Sequence, residues 1–455
     1  MKFVLLSLLL AAPVVMAAAD LDEIRALLAN RVDQSKKAVG MVVGVIDANG
    51  QKIVAHGKMA LDRGQTPDGD TVFEIGSLTK VFTSLVLADM IERGEVKADD
   101  PVSKFLPADV KVPSRNGRQI TLLDLSMQLS GLPRLPDNLA PADPMNPYAD
   151  YTPARLYDFL GHYTLTRDSG EKYEYSNPGA GLLGFALARK AGMSYEELVL
   201  RRILEPLGMN STSITLSADQ KKRLAAGYNA GLEPVANWDF DALAGCGALR
   251  STVHDLLKFA AANLGLIDTP LAAAMRRMRS VHHETGVADL DILMGWHEWH
   301  KYGTDIVWHN GGTYGYRSFA GLDLAKKSAV VILCNTFFDV DDLGLHVLES
   351  RWPAATLPPA RQEITVAPEV LQSYVGQYQF APGVVLTVTL AGTQLSAQLT
   401  GQPAFPVYAS TPTEFFLKVV EAGLTFEKDA SDAVAAVVLH QGGRDQRAAR
   451  LKPGN

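Results

Sequence analysis

The sequence predicts an α+β fold followed by a small all-β domain. Three observations lead there. Asn49-Gly50 joins two apolar runs, Gly40 to Asp47 and Lys52 to Gly57, which marks an antiparallel hairpin early in the chain. Val81, Leu85 and Ala88 recur at helical steps beside Phe82, Val86 and Asp89, so a helix follows that hairpin. Beyond Trp352 the pattern changes to period-two alternation, the mark of strands with one buried face.

Taken in order, the chain opens on Met1-Lys2, an apolar stretch from Phe3 to Val15, and Ala17-Ala18-Ala19 before Asp20. Positive, apolar and small in that order describe a secretory signal peptide over residues 1–19, too short for a membrane span. An exported protein, periplasmic or secreted and without a stable membrane span, is expected. Leu21, Ile24, Leu27 and Leu28 then give a first helix ahead of the hairpin. Residues 99–147 are rich in turns, with a short helix from Ile120 that stops at Gly131-Leu132-Pro133 and a long surface loop from Pro136 to Pro153. A loop carrying Tyr173 to Gly179 leads into an apolar helix around Leu182 to Leu187. Ile306 to Trp308, Ser318 to Leu322 and Ala329 to Cys334 read as strands.

The catalytic-sized part is expected over 20–352. A proline-broken linker follows over 353–368, and a small barrel-like β-domain occupies 369–455. Its strands are read at Tyr374 to Tyr378, Val384 to Leu390, Gln394 to Leu399, Phe415 to Val420 and Val434 to Leu439. The β-domain carries no recognisable chemistry. Nothing in the chain sets an oligomeric state.

Composition narrows the function classes. With 455 residues, 47% apolar and 20% charged, the chain is globular. A formal net charge of -7 and the lack of a basic run argue against a nucleic-acid partner. Two cysteines, Cys246 and Cys334, make no disulfide framework and read as reduced, structural thiols.

The chemistry centres on Glu74-Ile75-Gly76-Ser77-Leu78-Thr79-Lys80. Gly76 marks the entry to the helix, which puts the Ser77 hydroxyl among unpaired backbone N–H groups. Lys80 lies three residues on, within reach of Ser77. A neutral lysine can take the proton of a serine hydroxyl and so activate it. Alone the spacing says little, because a serine at a helix start is ordinarily a cap. Two further loops add to it. Tyr175-Ser176-Asn177 offers a phenol that can relay a proton and a side-chain amide that can hydrogen-bond a substrate amide. His309-Asn310-Gly311-Gly312 on a strand suggests a place where a ligand approaches the backbone closely.

His282, His283, His297 and His300 concentrate four of the ten histidines in one segment. Their spacings match no familiar ligand pattern, and Trp296 and Trp299 between them suit a packed wall. No cofactor is expected, and a zinc ion in this region is the alternative.

In this order the motifs resemble the penicillin-recognising serine hydrolases, which include serine β-lactamases, D-alanyl-D-alanine carboxypeptidases, penicillin-binding proteins and esterases. Tyr175-Ser176-Asn177 is similar to the class C branch, as are Phe73 to Ser77, Leu129 to Leu132, Pro206 to Met209, Ala248 to Thr252 and Gly311 to Thr313. The resemblance covers roughly residues 20–350, and the small β-domain resembles a module attached to some members.

It implies an antiparallel sheet with helices on both faces, a helical lobe, and a site between them. It also implies acyl transfer on a small-molecule substrate. Ser77 attacks an amide or ester carbonyl, and Lys80 and Tyr175 share the proton work. The N–H groups of Ser77 and Gly312 form the oxyanion hole. Asn177 holds the substrate amide. His309, with Asn310 and Gly311 beside it, replaces the usual lysine facing the substrate carboxylate, so affinity for such substrates is expected to weaken as pH rises. Substrates implied are β-lactams and D-Ala-D-Ala peptides, with esters behind. A catalytically idle penicillin-binding protein is the remaining alternative.

Overall fold

The computed structural model describes residues 20–418, 420, 422–441 and 444–451. The signal-peptide reading of residues 1–19 lies outside them. In chain order the main elements of the first domain are α1 (Leu21–Ala29), β1 (Gly40–Asp47), β2 (Gly50–Gly57), α2 (Thr79–Glu92), α3 (Pro153–His162), α4 (Asn177–Ala191), α5 (Val253–Asn263), α6 (Ala272–Met278), β3 (His283–Glu284), β4 (Leu290–Ile292), β5 (His297–Lys301), β6 (Thr304–Gly312), β7 (Arg317–Asp323), β8 (Ser328–Cys334) and α7 (Asp341–Leu348).

The eight strands form one antiparallel sheet in the order β2-β1-β8-β7-β6-β5-β4-β3. The hairpin expected at Asn49-Gly50 is present, and Gly50 already pairs with Asp47 at a φ of 113°. Alternation along the strands sorts the side chains into two cores. Met41, Val43, Phe319 and Ile332 pack with Ile24 and Leu28 of α1 and Leu343 and Leu348 of α7. Val42, Val331 and Leu333 point the other way, into a larger core with Leu257 of α5, Phe82 of α2 and Leu183 of α4. Helices therefore cover both faces, and the helical lobe grows from the second.

Helix α2 runs through the middle of that lobe. Every residue from Thr79 to Met90 is buried, polar Thr83, Ser84 and Asp89 included. A helix apolar on one stripe would expose its opposite side, whereas this one is packed all round, as befits a central helix. Thr83 bonds the Gly245 carbonyl at 2.7 Å and the Tyr195 hydroxyl at 2.6 Å, and Ser84 accepts from Ser126 at 2.8 Å. These contacts satisfy groups that would otherwise be costly to bury. Both cysteines are free and buried, as expected.

After a stretch without regular structure comes α8 (Pro368–Tyr374). A closed eight-stranded barrel follows, formed by β9 (Gly376–Ala381), β10 (Val384–Ala391), β11 (Gln394–Leu399), β12 (Ala404–Ala409), β13 (Glu414–Phe416), β14 (Ala422–Lys428), β15 (Val434–Gln441) and β16 (Arg444–Arg450). Tyr374 belongs to the helix and not to the strand read from sequence. Pro368 at the helix start fixes the backbone there, and the Tyr374 ring stacks on Phe426 at 4.1 Å inside the barrel core. The linker is pinned at both ends: Ala360 N–H donates to the Gln34 carbonyl at 2.7 Å, and Ile364 N–H to the Ala409 carbonyl at 2.9 Å.

Candidate active site

Ser77 sits in a single 3-10 turn, Gly76–Leu78, that runs directly into α2. Gly76 has a φ of 50°, a left-handed conformation that a side chain would strain. A Cβ on Gly76 would also come within 2.6 Å of the Gly312 nitrogen. The turn is thus pressed against the end of β6. One helical turn on, Lys80 is 2% exposed and donates to Ser77 Oγ at 2.9 Å and to the Cys246 carbonyl at 2.7 Å. No carboxylate is among its hydrogen-bond partners in the described residues. The Lys80 ammonium lies 4.8 Å from the centre of the Tyr175 ring. Ser77, Lys80 and Tyr175, from two separate motifs, therefore converge.

Tyr175 is carried by the segment that enters α4. Ser176 caps that helix, accepting from Gly179 N–H at 3.0 Å and donating to the Pro133 carbonyl at 2.8 Å. Its hydroxyl is spent on structure. Gln128 clamps the segment from behind: its side-chain oxygen accepts Ser176 N–H at 2.7 Å, and its carbonyl accepts Glu174 N–H at 2.9 Å. Asn177 donates through Nδ2 to the Tyr148 hydroxyl at 2.9 Å, and its Oδ1 is buried without a partner. A buried acceptor of that kind, on the wall of a cavity, suits an amide N–H donor.

The third motif divides. Gly312 lines the cavity with Ser77. Gly311 is glycine because a Cβ there would collide with the Ile75 carbonyl. The close approach read from this glycine is thus made by the protein's own backbone. Asn310 turns to the other side and donates to Asp341 Oδ2 at 2.5 Å. His309 does not face the cavity, contrary to the expectation that it meets a substrate carboxylate. It is 2% exposed, packed beside Tyr175 and His297 with ring centres 6.4 and 5.3 Å away. Burial, then His297 and Lys80, hold its pKa well below the usual histidine range. A carbonyl can only accept, so the 2.5 Å contact from Nδ1 to the Asn310 carbonyl makes Nδ1 the protonated nitrogen. Burial thus disfavours the charged form of His309, which does not stand in the cavity as a cation for a substrate carboxylate.

The cavity has a volume of about 320 Å³. Besides Ser77, Tyr175, Asn177 and Gly312 it is lined by two cations that the sequence reading missed, Arg134 and Arg317, and by Tyr148, Trp238, Phe240, Tyr314 and Phe337. Arg134 follows directly on Gly131-Leu132-Pro133, and its guanidinium lies 5.2 Å from the Tyr175 ring centre. Arg317 is register partner to Gly312, stacks 4.0 Å over Phe337 and keeps its Nε buried without a partner. Tyr148 and Pro147 come from the long loop expected over Pro136 to Pro153, which therefore builds a wall. Glu74 is 3% exposed and accepts Trp238 N–H at 2.8 Å, so the residue just ahead of the nucleophile's turn also holds this aromatic wall.

The four clustered histidines separate. His297 is buried, with Nε2 2.9 Å from the Tyr173 hydroxyl, and His283 Nδ1 lies 2.7 Å from the Glu284 carbonyl. His282 and His300 come together at the outer strands, away from the residues that line the cavity. Among the described residues no helix is long and apolar enough to cross a membrane.

A serine hydroxyl hydrogen-bonded to an amine, a phenol beside that amine, and Ser77 and Gly312 lining one cavity together fit acyl transfer. Comparison with known proteins agrees. A family model described as Beta-lactamase matches residues 24–348, and one described as Domain of unknown function (DUF3471) matches 360–451. Over 231 residues the chain is 34% identical to the D-alanyl-D-alanine-carboxypeptidase/endopeptidase AmpH of Escherichia coli (strain K12), covering 51% of this chain and 59% of that protein. It is 28% identical over 270 residues to a Beta-lactamase of the same organism, covering 58% and 67%. The chain therefore spans about three fifths of the AmpH relative's length.

Among solved structures, the D-alanine carboxypeptidase AmpC from Burkholderia cenocepacia superposes with a TM-score of 0.62 at 23% identity, over 73% of this chain and all of that one. A class C beta lactamase from Rhodobacter sphaeroides gives the same score and identity over 72% and 98%. At these identities the likeness is one of fold. The matched span encloses Ser77, Lys80, Tyr175 and the cavity they share, and on that ground the chain belongs to the Beta-lactamase family of serine hydrolases.

Proposed function

We propose that this protein is an exported serine hydrolase that cleaves amide bonds through an acyl-enzyme on Ser77, acting on β-lactams or on D-Ala-D-Ala peptides. The observation that carries the reading is the 2.9 Å hydrogen bond between Lys80 Nζ and Ser77 Oγ, made at the floor of a cavity that Tyr175 also lines. Lys80 and Tyr175 take the Oγ proton as oxygen attacks the carbonyl carbon. The oxyanion accepts from the N–H groups of Ser77 and Gly312, each such donor contributing ~3 kcal/mol. Collapse breaks the C–N bond, and the proton goes to the leaving amine through the same pair. Water then releases the acyl group.

Two features favour amide substrates bearing a carboxylate over neutral esters. Arg134 and Arg317 line the cavity, and guanidinium groups pair well with carboxylates. The unpaired Asn177 Oδ1 supplies an acceptor for a substrate amide N–H. The carboxypeptidase activity of the AmpH relative points the same way. The charged, apolar, small order of residues 1–19 supports export.

The test is intact-protein mass over time after mixing with a penicillin and, separately, a cephalosporin. A mass gain of one intact drug on the wild type and none on Ser77→Ala is expected. A gain that decays with turnover makes the protein a β-lactamase, and a lasting one makes it a penicillin target. Equal labelling of Ser77→Ala, or none of the wild type, overturns the assignment. In the latter case, labelling by a fluorophosphonate leaves the esterase reading, and its failure leaves a non-catalytic binder.

A further inference from the structure

The geometry points to a zinc site at the outer edge of the sheet, formed by His282, Asp291, Glu298 and His300. None of the four lines the Ser77 cavity, so the site stands apart from the acyl-transfer chemistry and does not rest on it. The strands explain the convergence. Glu298 and His300 are two apart on β5 and share a face. Asp291 on β4 is the register partner of Glu298, which puts its carboxylate on the same face. His282 arrives from the turn after α6, just ahead of β3.

His282, Asp291 and His300 offer donor atoms that all lie within 4.8 Å of one another, and Glu298 adjoins both histidines. His282 Nδ1 is 3.1 Å from Glu298 Oε2 and 3.8 Å from Asp291 Oδ2. His300 Nε2 is 3.4 Å from Asp291 Oδ2 and 3.6 Å from Glu298 Oε2. Ligands about 2.0–2.1 Å from a tetrahedral zinc are separated by about 3.3 Å, and these four histidine–carboxylate separations lie within about 0.5 Å of that.

Glu298 is poorly solvated for a carboxylate. Its side chain is only 10% exposed, and its Oε2 makes no well-aligned hydrogen bond, with the two imidazole nitrogens as its nearest charged neighbours. Both imidazoles also have their far nitrogen engaged. His300 Nδ1 donates to Asp305 at 2.8 Å, and His282 Nε2 donates to the Arg279 carbonyl at 3.1 Å. An outer partner on one ring nitrogen fixes the tautomer and aims the other nitrogen's lone pair at the metal. Two imidazole nitrogens with two carboxylate oxygens suit Zn²⁺ better than Mg²⁺ or Ca²⁺, which take all-oxygen sets. The ligands come from three successive segments, so the ion would clip the short edge strands together.

The experiment uses the full chain, stripped with EDTA, dialysed and titrated with zinc sulfate by calorimetry, with thermal melts before and after. One equivalent of zinc and a higher melting temperature are expected for the wild type. His300→Ala should abolish binding. Asp305→Ala, at a side chain 69% exposed, should weaken it about 10–100-fold. His283→Ala should leave it unchanged. Absence of binding to the wild type overturns the proposal. So does undiminished binding by His300→Ala, or an equal loss in His283→Ala, which would mark scattered surface histidines as the binders.

Discussion

Gln128 sets the position of Tyr175, and its replacement should separate positioning from chemistry. The side chain is 4% exposed and touches the catalytic segment only through its oxygen, 2.7 Å from the Ser176 nitrogen. Gln128→Met keeps the shape and removes that acceptor. The Ser176 N–H is then buried and unpaired, a cost of about 1–3 kcal/mol. The segment can recover a partner only by moving, and Tyr175 moves with it. Misplacement of a reacting group by about 1 Å costs on the order of 100-fold in rate. Single-turnover acylation of Ser77 by a fluorescent penicillin should therefore slow roughly 10- to 100-fold at saturation, with half-saturation little changed, alongside a lower melting temperature. Gln128→Glu, which retains an acceptor oxygen, should recover most of the rate. Wild-type acylation by Gln128→Met, or a loss as large in Gln128→Glu, would show that the clamp does not place the phenol.

Two further outcomes follow from the cavity and its surroundings. Arg317→Gln removes a charged donor beside Gly312, and such bonds contribute about 1.5–3 kcal/mol. Specificity constants for carboxylate-bearing substrates should fall by roughly 10- to 150-fold, and those for neutral esters should hold; an equal fall in both would refute carboxylate recognition. Asp341 is the partner of Asn310, and burial, aided by the Asp339 charge, raises its carboxyl from 3.8 to about 7. The folded state then keeps a proton that the unfolded chain releases near 3.8. The stability it contributes is complete below about pH 4 and lost as pH rises to about 7. At 1.36 kcal/mol per unit the shift bounds the loss at about 4 kcal/mol, and partial exposure reduces it to about 1–3. Asp341→Asn should therefore be more stable than the wild type at about pH 8 and not at about pH 4, measured by urea unfolding; an equal difference at both would refute the titration.

The sequence disclosed what depends on local geometry and withheld what depends on distant packing. Ser77 and Lys80 meet because one helical turn separates them, and that holds in any helix. The hairpin at Asn49-Gly50 and the period-two runs after the linker are equally local. Barrel closure is not, since it requires β9 to pair with β16 through Tyr378 and Arg450. His309 was misplaced for a related reason. Alternation says that His309 and Asn310 point to opposite sides of β6, but not that one side leads into the core beneath Tyr175 and the other to Asp341. The same limit hid half of the proposed zinc ligands. Grouping His282, His283, His297 and His300 by proximity in sequence ignored strand pairing, which disperses two of them and brings in Asp291 and Glu298. Gln128, Arg134 and Arg317 carry no local signal, because each matters only through a partner on another segment.

The most consequential geometry, the placing of Ser77 against Gly312, is built by close backbone packing and not by side-chain caps. The Ser77 turn has no side-chain cap. Three neighbours hold it instead: Ile75 N–H donates to the Leu249 carbonyl at 3.1 Å, Ser318 donates to the Ile75 carbonyl at 2.7 Å, and Gly311 lies flat against that same carbonyl. Ser318 and Gly311 are register partners across β6 and β7. The sheet that supplies Gly312 is therefore the sheet that positions Ser77. A side chain at Gly76 would meet the Gly312 backbone and one at Gly311 the Ile75 carbonyl, so either would push the Ser77 turn away from β6.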